Sequence, residues 1–293
     1  MPRAGARPMS DLRRISDAVA AAGLALAVAA GGIPAAGPAV PQRVVSINLC
    51  TDQLALMLAA PGQLASVTAF AQDPRQSAMA DAARALPANH ARAEEVYLLR
   101  PDLVLASDFT SPASLAMLRR LGLRVEAFPA ATSLADVDAA IGQMGRALGR
   151  QDAAATMQAR FRADLAALRA DIPARPPRSA LYEPNGYSPG PQSLAGEITA
   201  AAGFSDIAAE AGLPYGGTLP LEQLVMLAPE AIISPGPAPG TSRGYELLQH
   251  PALRNLRARG IPMPRSDSDW GCAAPQVLDA AGRLAAARKA AGR

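Results

Sequence analysis

Gln151-Asp152-Ala153-Ala154-Ala155-Thr156-Met157-Gln158-Ala159-Arg160-Phe161-Arg162-Ala163-Asp164-Leu165-Ala166-Ala167-Leu168-Arg169-Ala170-Asp171 reads as one uninterrupted helix in the middle of a 293-residue chain. Met157, Phe161, Leu165, Leu168 and Ile172 recur at spacings of three and four, which aligns them on one helical face. Arg160, Arg162, Asp164 and Arg169 fall on the other. Gly149 is expected to end a preceding helix, Leu134–Leu148, and Asp152 to cap the new one. Pro173, Pro176 and Pro177 forbid its continuation. Such a helix spans about 30 Å. With a domain's length of chain on each side, it acts as a strut that holds two lobes apart and leaves a cleft between them.

The two flanks share a grammar of short strand-like runs alternating with helical patterns, the mark of parallel α/β architecture. In the first flank the expected strands are Arg43–Ile47, Leu64–Thr68, Leu103–Ala106 and Leu123–Phe128; Ser133 with Asp136 resembles a capping box for Leu134–Leu148. In the second they are Ala180–Tyr182, Ala231–Ser234 and Ile261–Met263, with Gln276–Ala291 as a closing helix. An internal match supports duplication. Glu94-Glu95-Val96-Tyr97-Leu98-Leu99-Arg100-Pro101-Asp102-Leu103-Val104-Leu105 parallels Glu222-Gln223-Leu224-Val225-Met226-Leu227-Ala228-Pro229-Glu230-Ala231-Ile232-Ile233, with Glu, Leu, Pro and an acid in register. A short helix that must stop before a buried parallel strand accounts for the Pro and the acid. It does not account for Glu94 and Glu222.

Half of the residues are apolar and only 4% are aromatic, so Ala, Leu, Val and Ile must build the core. The net charge of +3 is mild and the arginines are scattered, which leaves no nucleic-acid footprint. Residues 1–39 read as an export signal: Arg13 and Arg14 precede an apolar run, Ala18–Ala30, and a small-residue region, Gly31–Ala39, where a peptidase could cut. Both the general secretory and the twin-arginine routes stay open. The apolar run is too short to span a bilayer, which takes about 20 residues. The first cysteine is Cys50, so a lipid anchor on a processed N-terminal cysteine is not expected. Expected divisions are an N-terminal lobe over 40–150, the linking helix over 151–172 and a C-terminal lobe over 173–293.

Val44-Val45-Ser46-Ile47-Asn48, the doubled Glu…Leu-x-Pro-acid element, the strut and the late Ser268-Asp269-Trp270 followed by Pro275 together resemble the periplasmic binding proteins of iron-chelate and vitamin B12 ABC importers. The resemblance covers nearly all of the chain beyond the leader. It implies two Rossmann-like lobes with parallel sheets joined by one helix, a ferric-siderophore or cobalamin-type chelate held in the cleft by a monomer, and delivery to a permease dimer in the inner membrane. It also implies that Glu94 and Glu222 dock on permease arginines, one per lobe. No cofactor or catalytic residue follows from it. A bare metal site usually draws on several histidines, and this chain has only His90 and His250.

Ligands of open α/β sheets sit at the carboxyl ends of the strands, so the loops Asn48–Thr51, Phe70–Pro74, Asp108–Ser111, Glu183–Gln192, Pro235–Arg243 and Ser266–Pro275 should face the cleft. Candidate ligand contacts are Asn48, Cys50, Phe70, Phe109, Tyr182, Asn185, Tyr187, Tyr215, Arg243, Trp270 and Cys272. Core packing competes for Phe109 and Tyr182, and a solvated loop role for Arg243. Tyr187 stands in a Gly/Pro loop that cannot build core, and Trp270, the only tryptophan, in a polar loop, so a binding role is expected for both. Cys50 and Cys272 fall one in each lobe, and three readings stay open: a disulfide, thiols that contact ligand, or inert buried thiols. A competing enzyme reading makes Cys50 a nucleophile at a helix N-terminus, but neither His90 nor His250 is placed to serve as its base.

Overall fold

A computed structural model describes residues 39–236, 243–264 and 268–292. The export-signal expectation for residues 1–38 and parts of the loops 235–243 and 266–275 lie outside the described residues. The first lobe contains β1 (Val44–Ser46), α1 (Leu49–Leu58), β2 (Leu64–Thr68), α2 (Ala80–Ala83), β3 (Ala88–Asn89), α3 (Ala93–Leu98), β4 (Leu103–Ser107), α4 (Pro112–Arg120), β5 (Val125–Phe128) and α5 (Leu134–Leu148). Its five strands run parallel in the order β3-β2-β1-β4-β5. Sheets covered on both faces need continuously buried strands. Accordingly every residue of β1 and β4 is buried.

The linking helix α6 (Gln151–Ala170) follows after a sharp corner. Gly149 closes α5 at φ 69°, a left-handed conformation that glycine adopts without a Cβ penalty. Gly145 lets the two helices approach: a methyl group there would run into Ala154 Cβ and the Arg150 backbone. The expected apolar stripe of α6 is thinner in the fold than in the sequence. Ala154 and Phe161 are buried, Met157, Leu165 and Leu168 are only partly covered, and Ile172 is exposed. Asp152 is not the cap; Arg150 occupies that position and Asp152 lies in the first turn. On the far face, Arg162 pairs with Asp138 of α5 at 2.6 Å.

The second lobe holds β6 (Arg178–Leu181), β7 (Tyr187–Ser188), α7 (Leu194–Ala201), β8 (Ser205–Asp206), β9 (Gly217–Thr218), α8 (Leu221–Leu227), β10 (Ala231–Ile233), α9 (Arg243–Glu246), α10 (Pro251–Arg259) and α11 (Val277–Ala290). Its parallel sheet has the order β10-β6-β8. Ile261 adds a single parallel bridge to Ala231 where a longer strand was expected. β7 and β9 form a small antiparallel pair.

The internal repeat is structural down to individual hydrogen bonds. Asp102 accepts from the backbone N–H groups of Gln42 and Arg43 at 2.6 and 2.9 Å. Its counterpart Glu230 accepts from Arg178 N at 3.2 Å. Arg43 Nε donates to Leu99 O at 2.6 Å, and Arg178 Nη1 to the equivalent Leu227 O at 2.7 Å. Each short helix is followed by a non-glycine residue in the left-handed region, Arg100 at φ 50° and Ala228 at φ 44°. The acid after the proline thus satisfies strand N–H groups that would otherwise lack partners. No helix among the described residues is long and apolar enough to cross a membrane.

Candidate functional site

In an order β3-β2-β1-β4-β5 the chain reverses its direction of winding between β1 and β4, and the crevice at their carboxyl ends is where open α/β sheets hold ligands. The chain leaves β1 through Asn48, whose side-chain oxygen accepts from Cys50 N at 2.9 Å and Thr51 N at 3.4 Å and so caps α1. It leaves β4 through Ser107, whose hydroxyl accepts from Phe109 N at 3.2 Å. A cavity of about 180 Å³ lies at this place, lined by Asn48, Cys50, Ser107 and Phe109 from the first lobe and by Leu194, Gly271 and Ala273 from the second. A larger hollow, about 460 Å³, lies beside β10 between Ser234, Tyr245, Arg257 and Met263. All its walls belong to the second lobe, so it is not the junction.

Among the described residues, the ties that cross between the lobes include a disulfide, a part-buried carboxylate contact and a shared core. Cys50 and Cys272 form a disulfide with Cα atoms 4.9 Å apart. Glu197 of α7 accepts from Leu134 N, the first amide of α5, at 2.7 Å, placing a carboxylate at a helix N-terminus. One hydrophobic core is continuous through both sides, with Val44, Leu54 and Leu105 joining Leu194, Ile198 and Val277. The disulfide selects among the three readings of the cysteines. It also removes Cys50 as a nucleophile, since its sulfur carries no thiolate. His90 and His250 have local roles: His90 stands 3.3 Å from Glu95, and His250 Nδ1 accepts from Ala252 N to cap α10.

Eleven aromatic residues are present, and five of them are exposed: Phe70, Tyr97, Phe109, Tyr187 and Tyr215. Four of the five surround strand ends. Phe70 stands two residues past β2 and Phe109 two past β4, while Tyr187 and Tyr215 sit in and beside the β7/β9 pair. They are between 44% and 80% exposed. Water against so much aromatic surface forfeits burial energy that a bound apolar ligand would recover.

Other candidates fall elsewhere. Tyr182 is a correction: it is completely buried and its hydroxyl donates to Leu219 O at 3.2 Å. Strand alternation puts it on the same side as Ala180, facing a separate core with Ile207 and Leu224. Trp270 is half-buried against the shared core and its indole N–H has no partner among the described residues. Asn185 adopts a left-handed conformation at φ 62° with its side chain under Gly244, and Arg243 is exposed at the start of α9. Cys272 is buried, so Cys50 is the cysteine that reaches the cavity wall.

Two features of the site had no sequence signal. Glu197 looks like any acid in a helix's first turn. Asp52, wholly buried, accepts from Thr68 N at 3.1 Å and Thr68 Oγ1 at 2.5 Å, while its other oxygen has no hydrogen-bond partner among the described residues. Burial pushes the Asp52 carboxyl up to about 6. Among the described residues, no group of three or more His, Cys, Asp or Glu side chains is arranged to hold a metal ion.

A family model for periplasmic binding proteins matches residues 44–259. A cobalamin-binding protein of Halobacterium salinarum is 30% identical over 173 residues, 58% of this chain and 47% of its own length. The chain thus spans about half the length of the curated relatives it matches. Among solved structures, a periplasmic heme-binding protein from Pseudomonas aeruginosa superposes with a TM-score of 0.68 at 24% identity, over 84% of this chain and 92% of its own. The periplasmic vitamin B12-binding protein of Vibrio cholerae gives 0.64 at 20% identity, over 87% and 99%. At such identities the likeness is one of fold.

Proposed function

The chain belongs to the periplasmic binding protein family, and we propose that it captures a metal chelate between its lobes and delivers it to an ABC importer permease. The chelate is of the corrinoid, haem or ferric-siderophore type. The observation that carries this reading is a cavity whose wall both lobes supply, with the exposed ring of Phe109 in that wall; Phe70, Tyr187 and Tyr215 add exposed aromatic surface beside strands of the two lobes. A planar macrocycle or an aromatic siderophore presents faces that stack on such rings. The cavity of about 180 Å³ is too small for a whole chelate; drug-sized ligands take roughly 300–1,000 Å³. It therefore receives one edge, with the Cys50–Cys272 disulfide as its floor, while the aromatics hold the remainder.

Asn48, in the cavity wall, supplies a polar contact through its side-chain amide, and Trp270 supports the floor from below. The protein works as a periplasmic monomer after loss of its leader, and Glu94 and Glu222 dock it on the permease. Phe109→Ala with Tyr187→Ala is expected to weaken binding of the chelate at least tenfold, read by titration against visible absorbance. Unaltered affinity in this pair would contradict the cleft assignment.

A further inference from the structure

The two short helices of the internal repeat each turn one face inward and one outward. Inward, Val96 of α3 and Leu224 of α8 occupy equivalent positions and both are wholly buried. Outward, Glu94, Tyr97 and Leu98 share a face at spacings of three and four, as do Glu222, Val225 and Met226. Leu98 and Met226 are each 78% exposed, and Tyr97 and Val225 are also exposed. The inner residues seal each helix on its lobe without help from these four.

We propose that Tyr97–Leu98 and Val225–Met226 are apolar anchors of the docking face, one per lobe, for a membrane permease that offers the same apolar socket with a basic rim twice. This inference rests on the delivery function proposed above. Its partner chemistry follows from the repeat. The same acid–apolar–apolar face recurs in both lobes, down to the left-handed residue that follows each helix, so a partner with two copies of one site fits both at once. Neither Glu94 nor Glu222 has an ion-pair partner among the described residues. A second copy of this chain would set like carboxylates against each other, and an anionic lipid surface would repel them. A basic-rimmed protein socket does neither.

In this arrangement the carboxylates steer and orient, and the apolar pairs hold. The two contributions separate by salt, because screening weakens charge contacts and leaves apolar burial intact. The test uses the full chain with the permease and ATPase encoded in the same genome, reconstituted in proteoliposomes, and measures docking affinity from low to high NaCl. Leu98→Ser with Met226→Ser should lower affinity at least tenfold at every salt concentration, with melting temperature and chelate affinity as in wild type. Glu94→Gln with Glu222→Gln should weaken docking chiefly at low salt. Leu98→Met with Met226→Leu, which keeps the apolar surface, should dock as wild type does. Docking by the serine pair at wild-type strength would overturn the inference and leave the delivery function standing. Absence of docking by wild type would overturn both. A wild-type dimer in sedimentation that the serine pair abolishes would assign the face to a second copy instead.

Discussion

Asp52 shows at the residue scale what burying a carboxyl costs the fold. Its carboxyl titrates near 6 in the folded chain and near about 3.9 when unfolded. Between those values the native state binds more protons than the unfolded one, so stability is complete below about 4 and falls as pH rises to about 6. A shift of that size corresponds to about 3 kcal/mol. Asp206, also pushed up to about 6 by burial, acts in the same window. Asp52→Asn should therefore remove roughly half of the decline in urea midpoint between pH 4 and 6. A slope equal to that of wild type would mean that Asp52 is ionised in the fold. Tyr182 and Asn48 mark the limit of reading single residues. Loop position drew attention to both, yet Tyr182 is core at the end of a strand, while Asn48 lines the cavity and also caps α1 through its side-chain oxygen.

At the scale of elements, legibility followed period and punctuation. The bounds of β2 and α5 match the sequence reading, α5 because Ser133–Asp136 and Gly149 fix both its ends. The two-residue strands β3, β7, β8 and β9 escaped, since two residues carry no alternation to detect. The repeat of α3–β4 in α8–β10 was legible as a pattern, but its cause was not. The pairing of Arg43 with Leu99 and of Arg178 with Leu227 joins residues far apart in sequence. Glu94 and Glu222 both stand second in their helices and are exposed. Changing both to Ala should leave chelate affinity and melting temperature nearly unchanged, while transport and ATPase stimulation fall steeply. Full transport by the double variant would show that the pair has no docking role, and loss of chelate would show that the cleft lies elsewhere.

For the whole molecule, the strut was legible and the closure of the junction was not. Nothing in the sequence ties Glu197 to Leu134, and the cysteines left several readings open until their Cα atoms were found 4.9 Å apart. The disulfide spans a sequence separation of 222. By chain entropy, Cys50→Ser with Cys272→Ser should cost about 5 kcal/mol. With α6, the disulfide and a shared core all joining the lobes, ligand binding in oxidised protein should change the scattering radius of gyration very little. A large compaction on binding would contradict this picture. The central claim is that the junction holds a metal chelate, and the most direct measurement is the absorption spectrum and mass of the protein after gel filtration with excess cyanocobalamin, hemin or a ferric hydroxamate. One of the three should co-elute at one equivalent, with a visible spectrum shifted from that of the free chelate. Elution of colourless, ligand-free protein after all three would contradict the account.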